Sequence, residues 1–203
     1  WRRVQIEELL AQQVSLIRAK KDRQARLAPK IPVKTLANGL LSQFEKTLPF
    51  VLTGSQQRVW QEIQEDLSLG YPMNRLLQGD VGSGKTIIAA LACLHVIDAG
   101  WQTAIMAPTE ILAEQHYRKL SVWLKPLGVK IVWLTGSLKA SEKNKAYEEI
   151  ASGQAQLVIG THALIQDAVQ FKKLGFVVVD EQHRFGVKQR LTLQEKLTDE
   201  LLS

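Results

Sequence analysis

Gly79-Asp80-Val81-Gly82-Ser83-Gly84-Lys85-Thr86 is a complete G-x-x-x-x-G-K-T segment. Glycines at those positions let successive backbone N–H groups turn inward onto phosphate oxygens. A helix that starts at Lys85 points its positive dipole end at the same anion. In that arrangement the Lys85 ammonium reaches the β- and γ-phosphates, and the Thr86 hydroxyl ligates Mg²⁺. A second segment, Phe176-Val177-Val178-Val179-Asp180-Glu181-Gln182-His183, is an apolar run that ends in two acids. A strand ending in Asp180 puts that carboxylate at the carboxyl edge of a sheet, where ligands bind in open α/β folds. Asp180 can there hold Mg²⁺ through water, and Glu181 is placed to orient and deprotonate an attacking water. Alone, an Asp-Glu pair after a strand reads as a cap or a turn. Paired with the upstream glycine-rich loop, it supplies the other half of a site for a nucleoside triphosphate and Mg²⁺.

The elements that must position these residues follow from hydrophobic rhythm. Short apolar runs occur at Arg75-Leu76-Leu77, Ala104-Ile105-Met106, Val129 to Leu134, Leu157-Val158-Ile159 and Phe176 to Val179. Helical patterns separate them at Gln56–Leu69, Lys85–Ala99, Glu110–Leu124 and Ser141–Ala151. Strands alternating with helices predict an α/β fold with a mostly parallel sheet, helices on both faces and right-handed crossovers. The first of these strands should lead directly into the glycine-rich loop. Ahead of them, Ile6, Leu9, Leu10, Val14 and Ile17 recur at three- and four-residue steps, which predicts a helix with an apolar stripe. Pro29 and Pro32 end that pattern, and a short segment from Leu36 to Leu48 follows the Asn38-Gly39 turn signal. A last helical pattern begins after Lys188.

Composition narrows the class. Of 203 residues, 45% are apolar and 23% charged, which excludes a disordered tail, a collagen-like repeat or a disulfide miniprotein. The single cysteine, Cys93, leaves no intramolecular bridge or thiolate cluster and predicts a reducing, cytoplasmic setting. No run approaches the roughly 20 apolar residues of a membrane span. The chain opens without Met, which predicts a piece of a longer protein. Its net charge is +6, and the stretch from Arg18 to Lys34 holds seven basic residues against Asp22 alone, equal to the whole excess. That run reads evenly as a solvated helix face or as an electrostatic footprint for nucleic acid. His95 and His116 fall inside helical patterns without zinc-ligand spacing, and the tryptophans read as core packing.

Asp180-Glu181-Gln182-His183 resembles the DExH box of superfamily-2 helicases. Further segments fit that family: Ala107-Pro108-Thr109-Glu110 through His116 resembles motif Ia, Leu134-Thr135-Gly136-Ser137 motif Ib, and Ile159-Gly160-Thr161-His162-Ala163-Leu164 motif Ic. Leu52-Thr53-Gly54-Ser55-Gln56-Gln57 resembles the Q motif. Within the superfamily, roughly Glu7 to Lys196 is similar to the first motor lobe of bacterial ATP-dependent branched-DNA translocases.

This resemblance implies a RecA-like lobe at residues 49–203, ending ahead of motif III, with residues 1–48 as a helical connector. It implies nucleotide contacts from Gln56, which reads the adenine edge, and from Gly79, Asp80, Val81, Gly82, Ser83, Gly84, Lys85 and Thr86. Lys85, Asp180, Glu181 and His183 form the catalytic set, with His183 coupling the γ-phosphate to a neighbouring lobe. DNA contacts, mainly to the backbone, fall at Pro108, Thr109, Glu110, Thr135, Gly136, Gly160, Thr161 and His162. Thr109 reads equally as a helix cap, and the two roles can coexist. The implied partners are forked or four-way DNA, an upstream wedge domain and a second motor lobe carrying an arginine finger. The implied activity is ATP-driven remodelling of stalled forks and Holliday junctions by a monomer at the bacterial nucleoid. The 203 residues alone are then expected to be nearly inactive. Two rival readings are the motor lobe of a transcription-repair coupling factor and a nucleotide-binding switch module with no motor.

Overall fold

Among the described residues, largely apolar runs form four strands: β1 (Gln102–Met106), β2 (Ile131–Leu134), β3 (Leu157–Gly160) and β4 (Leu174–Val179). The computed structural model describes residues 14, 18, 21, 22, 24–33, 37–80, 82–181, 184 and 185. Every pairing is parallel, in the order β2-β3-β1-β4. Successive strand residues point to opposite faces, and both faces are covered. Ile105, Leu157, Ile159 and Val178 therefore join one core, while Ala104, Met106, Val158 and Val177 join the other.

The helices are α1 (Leu40–Thr47), α2 (Gly54–Leu67), α3 (Lys85–Asp98), α4 (Glu110–Leu124) and α5 (Ala140–Ala151). Side chains from α1, α2, α3 and α4 fill the first core; Ala146 and Ile150 of α5 fill the second. α3 is apolar around most of its circumference and buries Leu91, Cys93, Leu94 and Val96 completely. Each such Leu contributes about 1.5–3 kcal/mol of burial energy, which holds the helix rigidly behind the glycine-rich loop. Burial pushes the Cys93 thiol up to about 12, so it packs as an apolar group. Trp60 stands edge-on to His95, Trp123 lies against Phe44, and Trp133 meets Tyr117, so these tryptophans serve the core.

One expected strand is not formed. Residues 72–80 carry no strand, and Leu76 is 68% exposed. Met73 and Leu77 reach the first core, and Arg75 is tied to Asp66 and Glu62 of α2. An apolar run becomes a strand only when a neighbour supplies ladder hydrogen bonds. Among the described residues β4 pairs with β1 alone, and nothing pairs with the 72–80 run.

The second half of the expected connector is packed on the lobe. Ile31, Leu41 and Phe44 are buried in the first core. The Ala28 and Ile31 amides donate to the carbonyls of Gly70 and Leu67, at 3.0 Å each. The Asp98 carboxylate, at the end of α3, accepts from Leu40 N and Leu41 N at 2.8 and 3.0 Å, satisfying amides that the first turn of α1 leaves open. Of the expected N-terminal stripe, Val14 is helical and exposed, and Ile6, Leu9, Leu10 and Ile17 lie outside the described residues, as does the pattern after Lys188. No helix among the described residues is long and apolar enough to cross a membrane.

Candidate nucleotide site and nucleic-acid edge

The strand registers bring the separate motifs to one edge. Leu134 pairs with Gly160, Gly160 with Met106, and Met106 with Val179. The four strands thus end in one row, and the residues that follow them are Thr135, Thr161, Ala107 and Asp180. Their loops and the N-terminus of α4 share the carboxyl side of the sheet, the side on which open parallel sheets bind ligands.

Residues 79–84 lead into α3, whose N-cap is Gly84. Gly84 has φ +88°, a conformation that side chains oppose, and a Cβ there would come within 2.3 Å of Gln56 Nε2. No side chain caps α3, and the Ile87 amide already donates to the Gly84 carbonyl at 2.9 Å, so the amides ahead of it are the ones an anion would take. The Lys85 ammonium donates to the carbonyls of Gly79 and Asp80, at 2.6 and 2.9 Å. A phosphate entering the loop would take that ammonium over from the two carbonyls. Gln56 completes a capping box with Thr53 and also donates from Nε2 to the Ser83 carbonyl at 2.9 Å. Both ends of its amide are therefore engaged within the chain, where it fixes the loop against α2. Val81 lies outside the described residues.

Asp180 follows β4, and its N–H donates to the Met106 carbonyl at 2.9 Å. Its Oδ2 accepts from His116 Nε2 at 2.8 Å, and its Oδ1 from the Glu181 amide at 3.0 Å. The His116 bond holds the Asp180 carboxyl below the usual carboxylate range, against partial burial, with Lys85 adding in the same direction. An ionised carboxylate near a phosphate loop fits Mg²⁺, which takes one or two protein ligands and completes its shell with phosphate and water. No set of three His, Cys, Asp or Glu among the described residues could hold a metal unaided.

Glu181 adopts φ +45°, a left-handed conformation that costs a non-glycine residue about 1–2 kcal/mol. Backbone strain of this kind concentrates at functional sites. Its Oε2 lies 2.7 Å from Arg184 Nε, so in this conformation the carboxylate is paired. Gln182 and His183 lie outside the described residues.

The expected DNA edge divides in two. Thr109, Glu110, Gly136 and His162 are exposed and Pro108 is half-buried. Thr109 caps α4, its hydroxyl accepting from Leu112 N at 3.3 Å. The Glu110 carboxylate accepts from the amide and hydroxyl of Ser137, at 3.1 and 2.7 Å. These bonds, the hydroxyl first, hold its pKa below the usual range. Thr135, Gly160 and Thr161 are instead buried, so they do not face solvent. A Cβ at Gly160 would meet the Leu134 carbonyl oxygen at 1.8 Å, so this glycine permits the close approach of β2. Two residues escaped the sequence reading. His116 reaches Asp180 across 64 residues, and Lys143 donates to the Gly136 carbonyl at 2.7 Å, putting a cation beside the exposed loop. Neither carries a spacing signal, because both partners come from other elements.

A family model described as DEAD/DEAH box helicase matches residues 53–201. The chain is 51% identical over 195 residues to the ATP-dependent DNA helicase RecG of Aquifex aeolicus, covering 96% of this chain and 24% of that protein. It is 50% identical over 196 residues to the RecG of Escherichia coli K12, covering 96% and 28%. It thus spans about a quarter of the length of these curated relatives. Among solved structures, a RecG bound to a three-way DNA junction superposes with a TM-score of 0.81 at 48% identity, covering 89% of this chain and 24% of that one. The UvsW helicase of bacteriophage T4, with a TM-score of 0.58 at 19% identity over 79% of this chain and 56% of its own, shares the fold. The expected RecA-like α/β lobe and the resemblance to bacterial branched-DNA helicases both stand, and the rival readings are not favoured. With an acid-tipped strand at the carboxyl edge of a parallel sheet and a family match over residues 53–201, the protein belongs to the DEAD/DEAH box helicase family.

Proposed function

We propose that this chain is the nucleotide-binding lobe of an ATP-dependent DNA translocase that remodels forked and four-way DNA in recombination and repair. The observation that carries the reading is the common row of strand ends, with Asp180 and the exposed α4 edge on one side of the sheet and Lys85 of the glycine-rich loop close enough to act on the Asp180 carboxyl. The remaining parts, an upstream wedge domain and a second motor lobe with an arginine finger, belong to the proposal and lie outside these residues. RecG in the solved complex binds a three-way junction, which supports branched DNA as the partner.

In this mechanism the phosphates sit on the first-turn amides of α3, and Lys85 leaves the Gly79 and Asp80 carbonyls for the terminal phosphate. Thr86 and Asp180 would hold Mg²⁺, which when bound neutralises charge on the phosphate oxygens. Glu181 orients the attacking water once Arg184 gives up its carboxylate, and His183 relays the state of the terminal phosphate to the second lobe. Thr109, Glu110, Gly136 and His162, with Lys143 beside them, meet the DNA backbone without reading bases.

The test is ATP hydrolysis by the full-length protein with and without forked DNA. Stimulation by the fork, lost in Lys85→Ala, is the expected result. Nucleotide binding with no response to any DNA would favour a switch module instead.

A further inference from the structure

α4 is pinned at two points that the proposed function assigns to different tasks. At its first residue, the Glu110 carboxylate binds the amide and hydroxyl of Ser137 in the loop after β2. Further along the helix, His116 Nε2 donates to Asp180 Oδ2 at 2.8 Å. The other oxygen of that carboxylate accepts from the Glu181 amide, so the two bonds together set its plane. His116 and Asp180 side chains are 21% and 34% exposed, so the bond is partly sheltered from water. α4 is a helix of 15 residues, and helices move as rigid bodies. A shift of its N-terminal edge therefore displaces His116 Nε2 relative to β4.

We propose that His116 is a positioning residue that couples DNA contact at the N-terminal edge of α4 to the orientation of Asp180. The inference rests on the translocase reading for the DNA half, and on the observed bond together with the proposed Mg²⁺ role of Asp180 for the other half. The lowered pKa of Asp180, caused first by His116, agrees with a bond that matters to the ionised carboxylate. Partners that orient a metal-binding side chain without touching the metal are typically worth 10–100-fold in metal affinity or activity.

The experiment compares His116→Gln with His116→Asn in the full-length protein. Glutamine can carry its amide nitrogen to where Nε2 sits, whereas asparagine is one carbon too short. Three quantities are read: the Mg²⁺ concentration for half-maximal binding of a fluorescent ATP analogue, affinity for forked DNA without nucleotide, and the DNA stimulation of ATPase. His116→Asn should raise the Mg²⁺ requirement about tenfold and flatten DNA stimulation, with DNA affinity within about twofold of wild type. His116→Gln should restore most of both. Wild-type Mg²⁺ dependence and stimulation in His116→Asn would overturn the proposal, and so would equal impairment in the two variants. Should His116→Asn fail to fold by circular dichroism, His116→Gln decides: near-wild-type values support the role and a tenfold loss overturns it. Absence of DNA stimulation in the wild type would sink the translocase reading, while the Mg²⁺ comparison would still report on His116.

Discussion

Gln56 Nε2 donates to the Ser83 carbonyl at 2.9 Å, so the first turn of α2 is tied to the phosphate loop. The same amide closes the capping box with Thr53, which leaves the glutamine little freedom. Removing the donor should loosen the loop. Gln56→Glu keeps an acceptor for the Thr53 amide but sets a carboxylate against the Ser83 carbonyl. We expect it to weaken nucleotide binding about tenfold, in line with about 1.4 kcal/mol for one lost bond. Titration with a fluorescent nucleotide checks this, and unchanged affinity would remove Gln56 from the site.

Glu181→Gln should spare nucleotide affinity and slow hydrolysis by at least two orders of magnitude, the usual scale for a lost general base. The expectation follows from the separation of roles: Asp180 carries the His116 bond, while Glu181 pairs with Arg184. Binding and single-turnover hydrolysis measured together settle it. Parallel loss of both would make Glu181 a structural or metal-binding group.

At the opposite end of the sheet, Gln102 is 4% exposed and uses its whole amide. Nε2 donates to the carbonyls of Ile150 and Ala155, and Oε1 accepts from the amides of Lys172 and Lys173. Gln102→Leu would take these partners from the Ala155 carbonyl and the Lys172 and Lys173 amides, each at a cost of up to about 1–3 kcal/mol before relaxation, while the Ile150 carbonyl keeps the Gly153 amide. We expect a net loss of roughly 3 kcal/mol in urea unfolding, with nucleotide affinity of the folded protein unchanged. A loss below about 1 kcal/mol would show that water reaches this corner.

His95 is buried against Trp60, and its Nε2 has no hydrogen-bond partner among the described residues. Burial pushes its pKa below the ordinary value, with Asp98 opposing. The unfolded chain therefore takes up this proton first as pH falls. The stabilisation from a neutral His95 is complete above about pH 6.5 and drains away as pH drops toward the lowered folded value. Urea midpoints between pH 7.5 and 5 should fall in the wild type, and the slope should be shallower in His95→Phe. Identical slopes would assign the acid sensitivity to other groups.

How far the chain could be read without coordinates is clear from particular residues. The glycine-rich loop and the α4 cap at Thr109 were legible because each is made by contiguous backbone and side chains a few residues away, whereas the capping box at Thr53 was not read from the sequence. The four sheet strands were legible because burial on both faces demands unbroken apolar runs. Arg75-Leu76-Leu77 has the same local appearance, yet a strand also needs a partner, and partners are supplied from elsewhere in the chain. Thr135 and Thr161 resemble Thr109 and Gly136 in following strands, while Gly160 ends β3 itself. Only tertiary packing decides that Thr135, Gly160 and Thr161 are buried while Thr109 and Gly136 reach the surface. The His116–Asp180 bond joins residues 64 apart and the Gln56–Ser83 bond residues 27 apart. Local chemistry thus determined that the chain holds a phosphate loop and an acid-tipped strand. Non-local packing, which lays α2 beside the loop and α4 beside Asp180, decided which side chains steer them.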